Sequence, residues 1–209
     1  MSFEELGRKF ARLTTNLVMR SPRLWFLMRG PTRFQFDRLA SRWDAMRMPG
    51  AYAAYEAALV RVDPPPRRAL DLGTGTGGAA FALARRFPEA EVVGADLAER
   101  MIEQARQNTP DDLRDRVRFE VADASKLPYD DGAFDLVGLS NMIPFFDELD
   151  RVLSPGGSVV VAFSSGAGTP IYVAPERLRA ELALRGFSDF AEISTDPGTA
   201  LLARKPARA

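Results

Sequence analysis

The most constraining feature of this sequence is a glycine-rich segment that follows a short apolar run and opens a helical pattern. It reads Asp71-Leu72-Gly73-Thr74-Gly75-Thr76-Gly77-Gly78. Glycine accepts backbone dihedrals that other residues avoid and lets a ligand approach the main chain, while the unpaired N–H groups of a helix start favour an anion. The segment therefore predicts a ligand-binding turn between a strand and a helix.

The glycines alone do not name the ligand. Gly73, Gly75 and Gly78 also satisfy the G-x-G-x-x-G pattern of dinucleotide sites, with Asp96 about 20 residues further on to hold a ribose. A tight turn that binds nothing is the purely structural alternative.

An alternation of short apolar runs and helical stretches indicates the fold class. The predicted strands are 69–72, 91–95, 117–121, 134–139 and 158–163, with helices at 77–87, 98–108 and 148–153 between some of them. Runs that are apolar throughout favour a parallel sheet covered on both faces and joined by right-handed crossovers. A helix at 175–185 and a hairpin of 190–195 with 199–204 predict one antiparallel strand at the end.

Composition excludes several kinds of chemistry. The chain has neither cysteine nor histidine, which removes disulfides, thiolate nucleophiles, Ser-His-Asp relays and nearly all zinc sites, so we expect no metal. Basic and acidic residues balance at 28 each, so nothing in the global charge predicts a nucleic acid partner. No run of about 18 apolar residues occurs, and Glu4 and Glu5 stand where a signal peptide would be basic. These patterns predict a cytoplasmic protein.

Five landmarks in order resemble those of class I S-adenosylmethionine-dependent methyltransferases. They are the glycine segment at 71–77, acidic Asp96 at the end of the next strand, Val121-Ala122-Asp123-Ala124, the 127–137 segment and Arg151-Val152-Leu153-Ser154-Pro155-Gly156-Gly157. The resemblance implies a three-layer α-β-α sandwich. Its mostly parallel seven-stranded sheet would have the order 3-2-1-4-5-7-6, with strand 7 antiparallel. It also implies S-adenosyl-L-methionine as cofactor and S-adenosyl-L-homocysteine as product.

The resemblance carries roles to twelve residues of this chain. It implies that the glycine loop wraps the methionine part of the cofactor, with Asp71 as the counter-charge of its ammonium group, and that Asp96 binds the ribose hydroxyls. It also implies that residues after the third strand contact the adenine and that residues at the end of the fourth strand border the sulfonium. The implied cofactor-binding residues are Asp71, Gly73, Thr74, Gly75, Gly77, Asp96, Leu97, Met101, Asp123, Ala124, Leu139 and Ser140. Asp123 as a strand-end cap, and Leu97 and Met101 as core residues, remain open alternatives.

The implied activity is methyl transfer to a small, partly apolar metabolite, with the acceptor atom unresolved between oxygen, nitrogen and carbon. We name no catalytic residue, because the sequence does not place candidates such as Asp147, Glu148 or Tyr172 near an acceptor. A shortened region after the fourth strand keeps open a non-catalytic protein that binds the cofactor and acts through a partner. A nicotinamide-dependent oxidoreductase is disfavoured, because no lysine follows a tyrosine in Tyr-x-x-x-Lys spacing.

The chain divides at a proline-rich junction, Pro64-Pro65-Pro66, into a helical lead (1–62) and the cofactor-binding domain (63–209). Residues 1–47 carry ten basic and four acidic side chains, whereas the remainder carries eighteen and twenty-four. An apolar stripe of Phe3, Leu6, Phe10, Leu13 and Leu17 predicts a helix. We expect the lead to be a lid over the acceptor; simple packing on the domain or on a second copy, and a membrane-surface anchor, are the alternatives.

Overall fold

A computed structural model describes residues 3–207, with the side chains of Phe3 and Glu4 outside that description. Seven strands form one sheet in the order β3-β2-β1-β4-β5-β7-β6. Only β7 runs antiparallel to its two neighbours, so the predicted order and direction are confirmed. The strands are β1 (Arg68–Leu72), β2 (Glu91–Asp96), β3 (Val117–Val121), β4 (Phe134–Ser140), β5 (Leu153–Phe163), β6 (Ser188–Ser194) and β7 (Thr199–Arg204).

Helices cover both faces of the sheet and make the predicted three layers. Those of the described chain are α1 (Phe3–Arg20), α2 (Trp25–Leu39), α3 (Ala53–Leu59), α4 (Gly78–Arg86), α5 (Glu99–Gln107), α6 (Phe146–Val152) and α7 (Pro175–Ala183). Side chains of α3, α4 and α5 share one apolar cluster with one face of the sheet. Those of α6 and α7 share the other cluster with Val18 of α1 and Trp25 of α2. None of the helices in the described part of the chain is long and apolar enough to cross a membrane.

The middle strands are buried on both faces, as their uninterrupted apolar sequences predict. Leu70 of β1, Val92 of β2, Val137 of β4 and Val160 of β5 have no exposed side-chain surface. Burying such a side chain is worth about 1.5–3 kcal/mol, so these strands supply much of the stability of the fold. Their carboxyl ends all lie at one edge, where loops can bring functional groups together.

One polar side chain interrupts this core. Asp71 lies in the central strand β1 and is fully buried. Its register partners are Gly94 on β2 and Gly138 on β4, so both neighbouring strands place a glycine beside the carboxyl group. A β-carbon at Gly138 would lie 1.9 Å from the Tyr55 hydroxyl oxygen, which shows that the tyrosine of α3 fills the space this glycine leaves.

The fifth strand begins earlier than predicted. The Pro155-Gly156-Gly157 segment, which precedes the predicted strand 158–163, belongs to β5 itself. Gly156 has a φ of 81°, and its N–H bonds the Lys205 carbonyl at 3.0 Å while Lys205 N–H bonds Gly157 O at 2.8 Å. Pairing with the chain beyond β7 therefore extends the strand through the glycines.

Helix α1 buries a different face from the one its apolar stripe predicts. Leu6 and Leu13 of the stripe are more than half exposed. Thr14, Thr15 and Val18 are buried instead. The buried face of the helix thus consists largely of small residues, and part of its apolar stripe is exposed.

We expect Gly138→Ala to lower the free energy of unfolding by about 1–3 kcal/mol, the usual range for overpacking. The cause is the contact of the new methyl group with Tyr55. Adding Tyr55→Phe should recover part of the loss, since the hydroxyl is the nearest atom. The matched control is Gly30→Ala in α2, where no heavy atom lies within 4 Å; it should gain about 0.5–1 kcal/mol. Equal free energies of unfolding in urea for Gly138→Ala and Gly30→Ala would contradict this packing.

Candidate functional site

The glycine loop lies at the carboxyl edge of the sheet, between β1 and α4. Gly73, Gly75 and Gly77 have φ values of 75°, 53° and 94°, in the left-handed region that side chains rarely adopt. The N–H groups of Gly73 and Thr74 both bond the Ala95 carbonyl at the end of β2, at 2.8 and 3.0 Å. These bonds fix the loop over the neighbouring strand and leave its later N–H groups, at the start of α4, near the same edge.

Asp71 lies beneath this loop. The Thr74 hydroxyl donates to its Oδ2 at 2.6 Å, while its Oδ1 has no hydrogen-bond partner although it is buried. Burial raises the pKa of Asp71 to about 7, and the Thr74 hydrogen bond opposes this shift. An unpartnered buried carboxylate oxygen is costly, so the site favours either a proton or a nearby positive charge.

Asp96, at the end of β2, braces the loop from the other side. Its Oδ2 accepts the Gly75 N–H and its Oδ1 accepts the Ala98 N–H, both at 2.9 Å. Burial raises the pKa of Asp96, and these backbone hydrogen bonds oppose the rise. Asp96 as a whole residue is half-buried, and its carboxylate has acceptor positions left after these two hydrogen bonds.

Asp123, after β3, is engaged by the N-terminal lead. Its Oδ1 accepts the Trp25 indole N–H at 2.8 Å, together with the backbone N–H and hydroxyl of Ser125 at 2.9 and 2.7 Å. Its Oδ2 lies 3.6 Å from Arg29. The cap interpretation of Asp123 is thus supported by the Ser125 bonds, and a contact with α2 is added to it.

The apolar candidates divide between the site edge and the core. Leu97 and Ser140 are half-buried near the ends of β2 and β4. Met101 is buried in a small cluster with Ala98 and with residues of the lead. Leu139 is fully buried in the main core, and Ala124 is buried as well.

A stretch of the lead, residues 25–47, lies over this edge of the sheet, and we call it the covering segment. Asp37 accepts the Arg100 N–H at 3.0 Å and so caps the start of α5. The Thr76 hydroxyl donates to Asp44 Oδ1 at 2.5 Å, and Arg47 reaches the same hydroxyl at 2.9 Å. The lead therefore contacts the cofactor-site candidates themselves.

Aromatic and sulfur side chains pack directly on the glycines of the loop. A β-carbon at Gly75 would lie 3.3 Å from the Trp43 indole nitrogen, and one at Gly73 would lie 2.6 Å from the Met142 sulfur. Trp43 also meets Phe36 edge to face at 5.5 Å. The sequence did not predict a role for Met142 or Trp43 at the glycine loop. The one related signal was the aromatic content of the lead.

The acids considered as general bases are held by arginines instead. Asp147 pairs with Arg185 at 2.6 Å, and Glu148 pairs with Arg151 at 2.8 Å. The Arg151 hydrogen bonds hold the pKa of Glu148 below its ordinary value against the effect of burial. These two carboxylates therefore serve the packing of α6 and α7.

Contacts also define the roles of Asp135 and of two phenylalanines near α6. Asp135 is structural, because its Oδ2 accepts the N–H groups of Arg67 and Arg68 at 3.0 and 3.1 Å. Phe145 meets Trp25 edge to face at 5.3 Å, and the Arg185 guanidinium lies 5.4 Å from the Phe146 ring centre. Both phenylalanines are nearly buried, so they pack the short α6 region. Within residues 3–207, no group of three or more acidic side chains could hold a metal ion.

We expect the buried Asp71 to make the fold less stable as pH rises. Its pKa is raised from 3.8 to about 7, so the folded chain keeps a proton that the unfolded chain has released. The free energy of unfolding should therefore fall between about pH 4 and pH 7, by about 4 kcal/mol from this group. Asp71→Asn should match the wild type near pH 4 and exceed it at pH 8 in denaturant titrations.

The control for this titration is Asp115→Asn, which removes a carboxylate from an exposed position. Its stability should run parallel to that of the wild type across the range. If Asp71→Asn also runs parallel, the buried carboxyl does not hold its proton as its surroundings indicate.

Comparison with known proteins finds a matching domain and several relatives. Residues 69–157 match the family model described as a methyltransferase domain. The demethylmenaquinone methyltransferase of Thermus thermophilus is 41% identical over 139 residues, covering 60% of this chain and 62% of that protein. The malonyl-[acyl-carrier protein] O-methyltransferase of Halorhodospira halophila is 39% identical over 140 residues, covering 62% of this chain and 46% of the relative. The chain thus spans less than two thirds of either relative.

A solved structure agrees with the fold. The Haemonchus contortus phosphoethanolamine N-methyltransferase 2, bound to phosphomonomethylethanolamine and S-adenosylhomocysteine, superposes with a TM-score of 0.65 over 80% of this chain and 57% of that one. At 20% identity this likeness concerns the fold alone. The sheet order and the glycine loop are thus those of the methyltransferase fold, and residues 69–157 match a methyltransferase domain.

Proposed function

We propose that this protein transfers a methyl group from S-adenosyl-L-methionine to a small, partly apolar acceptor. The observation that carries the proposal is the convergence of the glycine loop with Asp71, Asp96 and Asp123 at one edge of the sheet. The match to a methyltransferase domain covers this part of the chain.

The residues at this edge fit the cofactor chemically. The unpartnered buried oxygen of Asp71 supplies negative charge for an ammonium group, and the N–H groups at the start of α4 suit a carboxylate. The carboxylate of Asp96, which has acceptor positions left, suits a pair of ribose hydroxyls. Asp123 and Ala124 are proposed for the adenine edge, with Leu97 and Met101 as its apolar surroundings.

When bound, the cofactor supplies an electrophilic methyl group on a sulfonium whose departure needs no proton. The work of the chain is then to orient the acceptor and exclude water, and orientation alone is worth about 7–11 kcal/mol in favourable cases. Met142 and Ile143 give the region beside Gly73 an apolar character suited to this task. We assign no general base, which matches an acceptor that already lacks its proton or releases it readily.

The acceptor class follows from the surroundings and the relatives. The two relatives are named for demethylmenaquinone and for malonyl-[acyl-carrier protein], and only the second name gives the methylated atom, an oxygen. Both names are compatible with a partly apolar acceptor. The acceptor atom of this protein stays open between oxygen, nitrogen and carbon.

We expect Asp96→Ala to weaken binding of S-adenosylhomocysteine by at least tenfold. Hydrogen bonds to a charged group are worth about 1.5–3 kcal/mol each, and about 1.4 kcal/mol is a factor of ten in affinity. The control is Glu99→Ala, an exposed acid three residues away, which should bind as the wild type does. Calorimetry measures both, and unchanged binding by Asp96→Ala would mean that this acid only braces the loop.

Transfer itself is tested with donor labelled on the methyl group and a broad extract of small molecules. A labelled product that requires the wild type and is lost with Asp96→Ala supports the activity. Tight cofactor binding without any product would favour the second candidate, a protein that binds the cofactor and acts through a partner. Tight binding of a nicotinamide dinucleotide with none of S-adenosylhomocysteine would reverse the proposal.

We further propose that residues 1–62 cover the domain formed by 63–209, and that the protein is cytoplasmic. The contacts of Asp37, Asp44 and Trp43 with the site support a covering role. The outward apolar residues of α1, Leu6 and Leu13, are available for a homodimer contact as well.

A membrane-surface contact is proposed for the outer face of α2. Phe26, Leu27 and Phe34 are each more than half exposed on this helix. Exposed arginines flank them, at 23, 33 and 38. The one acid of the helix, Asp37, is turned to the α5 start. A helix with exposed aromatic residues among arginines suits an anionic lipid surface, where each basic residue adds about 1 kcal/mol.

We expect the protein to co-sediment with vesicles rich in phosphatidylserine and to be released by salt. Phe26→Ser combined with Phe34→Ser should abolish this binding. The matched control, Val60→Ser with Leu184→Ser, removes two apolar side chains elsewhere that are at least about as exposed, and it should leave the binding intact. Equal loss in both double variants, or binding that ignores salt and lipid charge, would contradict a defined lipid-facing surface.

A further inference from the structure

One oxygen of the Asp123 carboxylate is fully occupied by the chain's own hydrogen-bond donors, and the other faces an arginine. Oδ1 accepts three hydrogen bonds, two from Ser125 and one from the Trp25 indole. Oδ2 faces the Arg29 guanidinium at 3.6 Å. A carboxylate offers about four acceptor positions in all, two on each oxygen, so Oδ1 has none left.

Trp25 is held firmly in this position. Its side chain is 7% exposed and meets Phe145 edge to face at 5.3 Å. Arg29, in contrast, is 59% exposed and forms a pair that solvent screens. The two contacts come from one face of α2, one turn apart, and together they fasten the helix to the end of β3.

The covering segment also lies on the glycine loop. Trp43 packs on Gly75, and Asp44 holds the Thr76 hydroxyl and the Asn108 amide at 2.5 and 2.9 Å. These contacts are with the loop that is proposed to hold the methionine part of the cofactor, whereas those with Asp123 are at the proposed adenine end.

We infer that α2 and the adenine of the cofactor compete for Asp123, so that Trp25 and Arg29 form a latch that must open before the cofactor binds. The inference rests on the proposed function, in which Asp123 meets the adenine amino group. Ser125 lies two residues after Asp123 in the same loop and keeps its hydrogen bonds, so the donors that leave are those of α2. The measured affinity for the cofactor is then the affinity of the open form multiplied by the fraction of molecules that are open.

The test is calorimetry with S-adenosylhomocysteine on full-length variants. Trp25→Phe keeps the ring and removes the N–H donor, and it should raise affinity roughly tenfold, because a charge-assisted bond of the competing state is lost. Arg29→Gln, at an exposed site that does not endanger folding, should raise it by a smaller factor of roughly two to three. The matched control, Arg33→Gln, removes the same charge one turn further along α2 and should change nothing.

A second readout follows the latch directly. Hydrogen exchange of the α2 amides should become faster when S-adenosylhomocysteine is added, because the cofactor takes the place of this helix. Slower exchange would mean that α2 closes on the cofactor, and it would overturn the inference. Equal affinity of the wild type and Trp25→Phe would overturn it as well, while leaving the proposed function standing. Absence of binding in the wild type and all three variants would instead remove the proposed function.

Discussion

The structure depends on one buried carboxyl group in the central strand of its sheet. Asp71 fits there because both register partners, Gly94 and Gly138, lack a side chain. The space is taken by Thr74 from the glycine loop and by Tyr55 from α3, so the loop and a covering helix are both fixed relative to β1. The cost of burying this group is reflected in its raised pKa. The same burial keeps a potential negative charge directly beneath the turn that the cofactor is proposed to occupy.

Specific hydrogen bonds, more than opposite net charge, hold the N-terminal lead on the domain. The lead is basic and the domain acidic, yet Arg8 and Arg12 donate to backbone carbonyls of 167–169. Asp37 and Asp44 accept from a backbone N–H and a hydroxyl. Bonds of this kind depend on geometry and are weakened little by salt. The lead is therefore placed in one register over the cofactor edge, which a diffuse charge attraction would not achieve.

The sequence predicted the sheet well because its signals are local. The runs around Val92, Val137 and Val160 are apolar on both faces, a pattern typical of strands in a sheet that is covered on both sides. The order of the strands required a family resemblance, since no local signal encodes which strands pair. The bond between Trp25 and Asp123 joins residues 98 positions apart and has no sequence signature at all. The face of α1 was mispredicted for a related reason: Thr14 and Thr15 are buried by their neighbours in space, whereas periodicity registers only the leucines.

Helix α2 carries apolar side chains on two opposite faces, and only one of these faces packs on the domain. Its inner face places Trp25 and Phe36 against the domain, while Phe26, Leu27 and Phe34 are exposed. Exposed apolar side chains set among arginines favour a second surface for the outer face. Binding at the two faces is then thermodynamically coupled. A surface that binds α2 more tightly when the helix is released from Asp123 raises the affinity for the cofactor. The cofactor in turn raises the affinity for that surface by the same factor. The coupling requires no new site, because the competing contacts at Asp123 already belong to this helix.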